Sequence, residues 1–285
     1  MWLPPSSAYT ADDLLRAAKA RAFPATKRLI TDWVTIGLLD QPNRRGRGRA
    51  KGVERTWPAS QFQLWLVLLD KRRDITHVAS LCNIPVFLWL NFGTEYAPVR
   101  QVRRALGFFN RLVPGMSVTA ARKAARSIVA QLSAPTATRA DQNALVEAIV
   151  SATGGGEFNR DLLLDPVRRI FDPEQTGRRI GPAGAPMTAE SWVDYTEALI
   201  VGAQTIPDLR DEEFETARLA HHDTLAMYVV QQPAFAQDPE IGSIFDAPTI
   251  SWLANNACSN ITTEIGFREL ARRRGASEGA APPQT

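Results

Sequence analysis

Apolar side chains along this chain recur mostly at the three-to-four-residue spacing of helices, and one stretch near the front lacks them altogether. Thr10-Ala-Asp-Asp13 has the form of a helix start. Its hydroxyl can accept from a free backbone N–H, and two acids sit in the first turn, where the helix dipole favours them. A helix from Ala11 to about Arg21 follows, with Leu14, Leu15 and Ala18 turned inward. Phe23-Pro24 breaks it, and proline suits the first turn of a second helix because its missing N–H costs nothing there. In that second helix Leu29, Ile30, Trp33 and Val34 form one apolar face, while Lys27, Arg28, Thr31 and Thr35 form the other. Gly37 is placed to end it in the left-handed conformation.

Residues 40–56 hold three glycines and six Arg/Lys and almost nothing to bury. They read as a two-stranded basic loop that Trp57 closes with a large apolar anchor. Pro58 opens a third helix with Phe62, Leu64, Trp65, Leu68 and Leu69 on a dense apolar face, and Lys71-Arg72-Arg73 ends it favourably for its dipole. Further helical regions are predicted over 74–90 (with Pro85 starting a new segment or a kink), 98–112 and 117–132. Ser133-Ala-Pro-Thr-Ala-Thr138 has the composition of a linker. Beyond it helices are predicted near 140–152, 160–171, 188–205, 209–231 and 260–274. Thr188 with Glu190 predicts a cap, and Trp192, Thr196, Leu199 and Ala203 a buried stripe. Gly154-Gly-Gly156 and Gly181–Pro186 separate some of these segments. Outside the basic loop no alternating run is long enough for a sheet.

Charge sharpens this picture. The net charge is only +3, but residues 1–130 carry 21 Lys/Arg against 8 Asp/Glu, and residues 131–285 carry 12 against 22. A basic half joined to an acidic half is a polarised molecule, and the basic half has the footprint of a polyanion binder. Two short helices with a tight break, the second polar outward, followed by a basic loop, form a helix-turn-helix with a wing. The predicted fold is mainly α: an N-terminal winged helix-turn-helix over residues 1–95, a basic helical connector over 96–133, an acidic all-α helical domain over 134–275, and a disordered tail over 276–285.

The front of the chain resembles the MerR-like winged helix-turn-helix family. Four pieces carry the likeness in order: a short first helix, the Thr26-Lys-Arg-Leu-Ile-Thr-Asp-Trp33 helix, the Gly37-Leu38-Leu39 phrase, and a basic wing closing on Arg55-Thr-Trp57. Trp57 stands where the family has tyrosine, and the wing is longer and more basic than usual. No sustained heptad pattern follows it, so the family's coiled-coil dimerisation helix is not expected. The resemblance implies a sequence-specific regulator of transcription that binds double-stranded DNA. An excisionase-like DNA-bending protein, or an RNA- or protein-interaction scaffold, is the alternative.

The candidate DNA-binding residues are Lys27, Arg28, Thr31 and Thr35 on the second helix, and Arg44, Arg45, Arg47, Arg49, Lys51 and Arg55 in and beside the wing. Arg28 has the donors to bond a guanine edge in two-pronged fashion, and Lys27 suits a base or a phosphate. The wing arginines suit phosphates or the minor groove, and a flexible Arg-Gly run also suits RNA. Arg55 reads equally as a backbone contact or as an ion-pair partner of Asp32 or Glu54. Trp33, Trp57 and Trp65 have the spacing of core residues rather than of stacking platforms.

No catalytic residue, cofactor or metal is expected. The adjacent His221-His222 pair lacks a second ligand pair at metal spacing, Gly154-Gly-Gly156 lacks the Gly-Lys-Ser/Thr ending of a phosphate loop, and no hydrolase or dinucleotide signature occurs. Cys82 and Cys258 read as buried thiols in a reduced, cytoplasmic setting. The longest apolar run, Ile84 to Leu90, falls far short of the ~20 residues that span a bilayer, so no membrane partner is expected. A homodimer is expected, with a small molecule or a protein as effector of the C-terminal domain.

Overall fold

The structure is a computed structural model and describes residues 8–46, 53–112, 118–153, 158–174, 188–237 and 248–279. The chain is mainly helical and divides into two compact units. Unit 1 comprises Met1–Phe109 with Leu253–Cys258, and unit 2 comprises Asn110–Trp252 with Ser259–Thr285. Residues 96–109 therefore group with the front of the chain and 110–133 with the back, rather than forming a connector. No described helix is long and apolar enough to cross a membrane.

Unit 1 begins with a short strand β1 (Tyr9–Thr10) that runs directly into α1 (Ala11–Ala20). The start is a full capping box: the Asp13 amide donates to the Thr10 hydroxyl at 3.3 Å, and the Thr10 amide donates to the Asp13 carboxylate at 2.9 Å. Leu14 and Ala18 are buried, and Leu15 is half-buried. The next helix, α2 (Lys27–Thr35), starts later than Pro24 suggests. Thr26 is its N-cap, with its hydroxyl accepting from the Leu29 amide at 3.2 Å. A hairpin follows, β2 (Asn43–Gly46) antiparallel to β3 (Val53–Trp57), and β1 adds to the other edge of β3 in the order β1-β3-β2. Two residues are too few to show alternation, which is why β1 leaves no periodic signal in the sequence.

Then come α3 (Ala59–Asp74), α4 (Val78–Leu81), α5 (Asn83–Phe92) and α6 (Val99–Phe109). Pro85 sits in the first turn of α5, where it breaks no helical hydrogen bond. The core of unit 1 gathers Trp33, Trp57, Trp65, Leu68, Trp89 and Leu106, and the Trp33 and Trp65 rings meet edge to face at 4.9 Å. Cys82 and Cys258 are buried free thiols of this unit. Burial pushes the Cys82 thiol up to about 12, and burial and then Cys82 itself raise that of Cys258, so neither is a ready nucleophile.

In unit 2, α7 (Val118–Leu132), α8 (Arg139–Thr153), α9 (Arg160–Phe171) and α10 (Ala189–Thr205) pack in sequence around Val129, Leu145, Leu163, Val167, Phe171 and Val193. Residues 133–138 are the turn between α7 and α8 rather than a linker between domains. Ala134 is buried there, and its amide donates to the Ile170 carbonyl at 2.8 Å. On α10 the capping box joins Thr188 to Ser191, and the Thr188 side chain also hydrogen-bonds the Glu190 carboxylate. Its buried line runs through Ala189, Val193, Ala198, Val201 and Gly202. Of the expected stripe only Ala203 is buried, because the neighbours lie to one side of it. Helix α11 (Asp211–Ala236) continues through Pro233, and α12 (Ile250–Gly279) extends the expected 260–274 segment at both ends. Residues 276–279, expected in a disordered tail, are the last turn of that helix. The Gly154–Gly156 and Gly181–Pro186 stretches lie outside the described residues.

The crossing of α10 and α12 depends on two glycines. A Cβ on Gly202 would lie 1.9 Å from the Thr262 carbonyl oxygen, and one on Gly266 would lie 1.7 Å from that of Ala198. The backbones touch, so any side chain forces them apart. Gly202→Ala and Gly266→Ala are each expected to cost about 2–3 kcal/mol, lowering the thermal midpoint by roughly 5–10 °C in calorimetry. Gly275→Ala, on the same helix with open space around it, is expected to leave the midpoint unchanged or raise it.

Candidate nucleic-acid interface

The polar face of α2 is built by spacing alone. At roughly 100° per residue, Lys27, Arg28, Thr31 and Thr35 fall within one arc, and all four are exposed. Ile30 and Trp33, on the opposite side, are 3% and 2% exposed. The Thr31 hydroxyl donates to the Lys27 carbonyl at 3.1 Å and the Thr35 hydroxyl to that of Thr31 at 2.9 Å, so both present oxygen lone pairs and a methyl group outward. Lys27 lies 3.2 Å from Asp12, and Arg28 lies 3.8 Å from Asp32. With Arg28 at 90% exposed and Asp32 at 61%, these are solvated pairs of little stabilising value. Among the described residues Asp32 pairs with Arg28 and forms no ion pair with Arg55.

The C-terminus of α2 is fixed far more firmly. Gly37 has φ +82°, the Leu38 amide donates to the Trp33 carbonyl at 2.9 Å, and the Gly37 amide donates to that of Val34 at 3.3 Å. This is the left-handed stop expected of Gly37, in its double-bonded form. Three residues on, Asp40 is 5% exposed. Its carboxylate accepts from Arg100 at 2.6 and 3.0 Å and from Arg104 at 3.1 Å. Its amide donates to Gln61 at 2.8 Å, and its carbonyl accepts from the Trp57 indole at 2.9 Å. Gln61 donates in turn to Gln101 at 2.9 Å, and Gln101 donates to the Leu38 carbonyl at 3.0 Å. Burial pushes the Asp40 carboxyl up, but hydrogen bonds from Arg100, the Gln41 amide and Arg104 outweigh it and hold the group below the usual carboxylate range.

The hairpin is tied to the same point through Trp57. Its register sets Arg44 directly opposite Arg55, both exposed, and Arg45 opposite Glu54. Like charges facing each other across a ladder are destabilising, so the Arg44–Arg55 step is a place where an anion relieves repulsion. Arg45 is placed in β2 by its backbone, while Arg47, Arg49 and Lys51 lie outside the described residues.

Several cations of the later helices are paired within their own unit, while Lys123 and Arg126 of α7 are exposed. Arg100 and Arg104 of α6 are committed to Asp40, and Arg122 of α7 makes two hydrogen bonds to Glu147, at 3.0 and 2.8 Å. Even so, residues 1–109 carry 17 Lys/Arg against 8 Asp/Glu, and the rest of the chain carries 16 against 22. The polar network around Asp40 is what sequence reasoning overlooked. The available signal was Gln61, a polar residue directly beside the apolar face of Phe62, Leu64 and Trp65, and Asp40 itself, the one acid at the start of an otherwise basic stretch.

Other candidate sites are weaker. Among the described residues no group of three His, Cys, Asp or Glu side chains is placed to hold a metal ion. The His221 and His222 rings lie 6.2 Å apart on α11, and burial, then His222, push the His221 imidazole down to about 4. An open groove of about 300 Å³ in unit 2 is lined by Thr205, Leu209, Glu213, Ile265, Arg268 and Glu269. Its charges are largely matched from within: hydrogen bonds from Arg272 and Arg273, against burial, bring Glu269 down to about 2, and Glu213 pairs with Arg210. Comparison with known protein families, with curated proteins and with solved structures gives no match.

Two pH dependences follow. An unfolded Asp titrates near 3.9 and folded Asp40 titrates lower. Its contribution is thus fully present above about pH 4 and lost as the pH falls through the folded value. Asp40→Asn is expected to cost on the order of 2–4 kcal/mol at neutral pH and to flatten the acid limb of thermal midpoints measured from pH 2 to 6. His221 behaves separately. Between its unfolded value of about 6.5 and its folded value of about 4, the unfolded chain binds the proton more tightly, so stability falls as the pH drops through that window. His221→Gln is expected to remove that slope, and an unchanged slope in denaturant titrations at pH 4.5 and 6.5 would count against the buried imidazole.

Proposed function

We propose that unit 1 binds double-stranded DNA and reads sequence with α2, and that the protein is a transcription regulator of the MerR-like winged helix-turn-helix kind. One observation carries the reading. A short helix with an exposed basic and hydroxyl-bearing face, and a hairpin with opposed arginines, are locked to a common buried anchor at Asp40. An α-helix with its side chains is about 10–12 Å across, which fits the major groove, about 12 Å wide. Lys27, Arg28 and Thr31 lie in the N-terminal half of α2, the part of a recognition helix that meets base edges. Arg44 and Arg55, with Arg45, Arg47, Arg49 and Lys51 beside them in sequence, supply phosphate contacts that position without specifying. Rigid presentation favours sequence reading, because a loosely held helix would pay for its ordering on binding. Unit 2, net acidic, takes the role of assembling copies of the chain or of sensing an effector.

The test is selection of binding sites from a random duplex pool, followed by fluorescence anisotropy across a salt series. The logarithm of the affinity is expected to fall with the logarithm of salt with a slope of about −0.9 for each phosphate neutralised. Arg28→Ala is expected to relax the preference at one base pair by roughly 1–3 kcal/mol. Replacing Arg44 and Arg55 together with alanine is expected to weaken all duplexes alike and to reduce the slope by about 2. Tighter binding of single-stranded RNA than of any duplex, or absence of duplex binding at low salt, would overturn the reading.

A further inference from the structure

Helix α6 contacts the end of α2 through backbone as well as side chain. Gly37 lies so close to it that a Cβ there would sit 2.4 Å from the Ala105 amide nitrogen and 2.6 Å from the Gln101 carbonyl oxygen. Arg104 donates from Nε to the Val34 carbonyl in the last turn of α2, at 3.1 Å, and from Nη2 to Asp40 at 3.1 Å. Gln101 donates to the Leu38 carbonyl, one residue past the stop, at 3.0 Å. The last carbonyls of a helix have no partners within it and carry the negative end of its dipole, so a guanidinium there both satisfies and attracts them. Two turns of α6 thus grip the C-terminal end of α2 by its main chain. The N-terminal half, with Lys27 and Arg28, stands exposed.

We propose that α6 sets the pose in which α2 meets DNA, with Arg104 as the positioning residue and Gln101 and Gly37 completing the grip; this rests on the DNA reading of α2. Arg104 acts without touching the duplex. Its side chain is only 23% exposed, and two of its guanidinium nitrogens are committed to Val34 and Asp40. That separates it from every cation that meets a phosphate. Losing a phosphate contact shallows the salt dependence, while losing a positioning contact leaves it unchanged and reduces only the discrimination between sequences. Removing Arg104 also leaves Asp40 its two-pronged bond from Arg100, so the buried carboxylate keeps a partner and the fold has reason to survive.

The experiment uses the full chain, a duplex selected by the wild type from a random pool, and a scrambled duplex of the same composition. Arg104→Met is expected to weaken binding of the selected duplex roughly 5- to 20-fold. Binding of the scrambled duplex and the salt slope of either are expected to stay at wild-type values. Arg104→Lys keeps a cation facing Val34 and Asp40 and is expected to regain most of the preference. Amide hydrogen exchange at residues 33–38 is expected to speed up in Arg104→Met more than exchange in α3. If Arg104→Met is unfolded by circular dichroism at the assay temperature, Arg104→Gln takes its place with the same expectations. Equal loss on both duplexes, or a slope reduced by about 1, would make Arg104 a direct contact and overturn the positioning role while leaving DNA binding intact. A wild type that binds no duplex would overturn both.

Discussion

A carboxylate with almost no access to water, Asp40, is the constraint on which unit 1 depends. Taking an ionised group out of solvent is costly unless it is fully hydrogen-bonded. The carboxylate is held by two arginines from α6, while the backbone of the same residue is bonded by the Gln61 side chain at its amide and the Trp57 indole at its carbonyl. These four partners come from three elements, so satisfying one residue fixes α3, α6 and β3 around the turn that ends α2. A network of this kind specifies one arrangement because any slippage strands a buried polar group.

That arrangement decides how charge is distributed. Six cations crowd residues 44–55 and two more open α2, yet the arginines of α6 that point back to Asp40 contribute structure instead of surface field. Among the described residues, Lys27 and Arg28 are held by weak, solvated pairs, and Arg44 and Arg55 stand opposite each other. Like charges set opposite each other on a ladder are destabilising.

Unit 2 is held differently. Among the described residues its helices α7 to α10 share an apolar core without a comparable buried ion pair, and α10 and α12 approach until their backbones touch at Gly202 and Gly266. Close backbone contact gains dispersion and weak Cα–H···O bonds over a short length of helix, but it tolerates no added atom. The exposed pairs along these helices, such as Arg122 with Glu147 and Arg160 with Asp194, add solubility more than stability.

The amino-acid sequence by itself determined the local structure. Helix periods, the Thr10 cap, the Gly37 stop and the burial of Trp33, Trp57 and Trp65 all follow from neighbours within a few residues, which is the range over which propensity, capping and amphipathic spacing act. It also placed Lys27, Arg28, Thr31 and Thr35 on one exposed face, because helical geometry alone puts them there. Tertiary structure decided what depends on partners distant in the chain. The pairing of Tyr9–Thr10 with β3, the capture of Arg100 and Arg104 by a carboxylate 60 and 64 residues away, and the line of α10 that is buried are examples. Residues 133–138 looked like a linker for the same reason: a buried alanine and one amide bonded to Ile170 leave no mark on composition. An arginine facing solvent and an arginine neutralising a buried acid are the same letter in the sequence, and only the fold brings the acid to it.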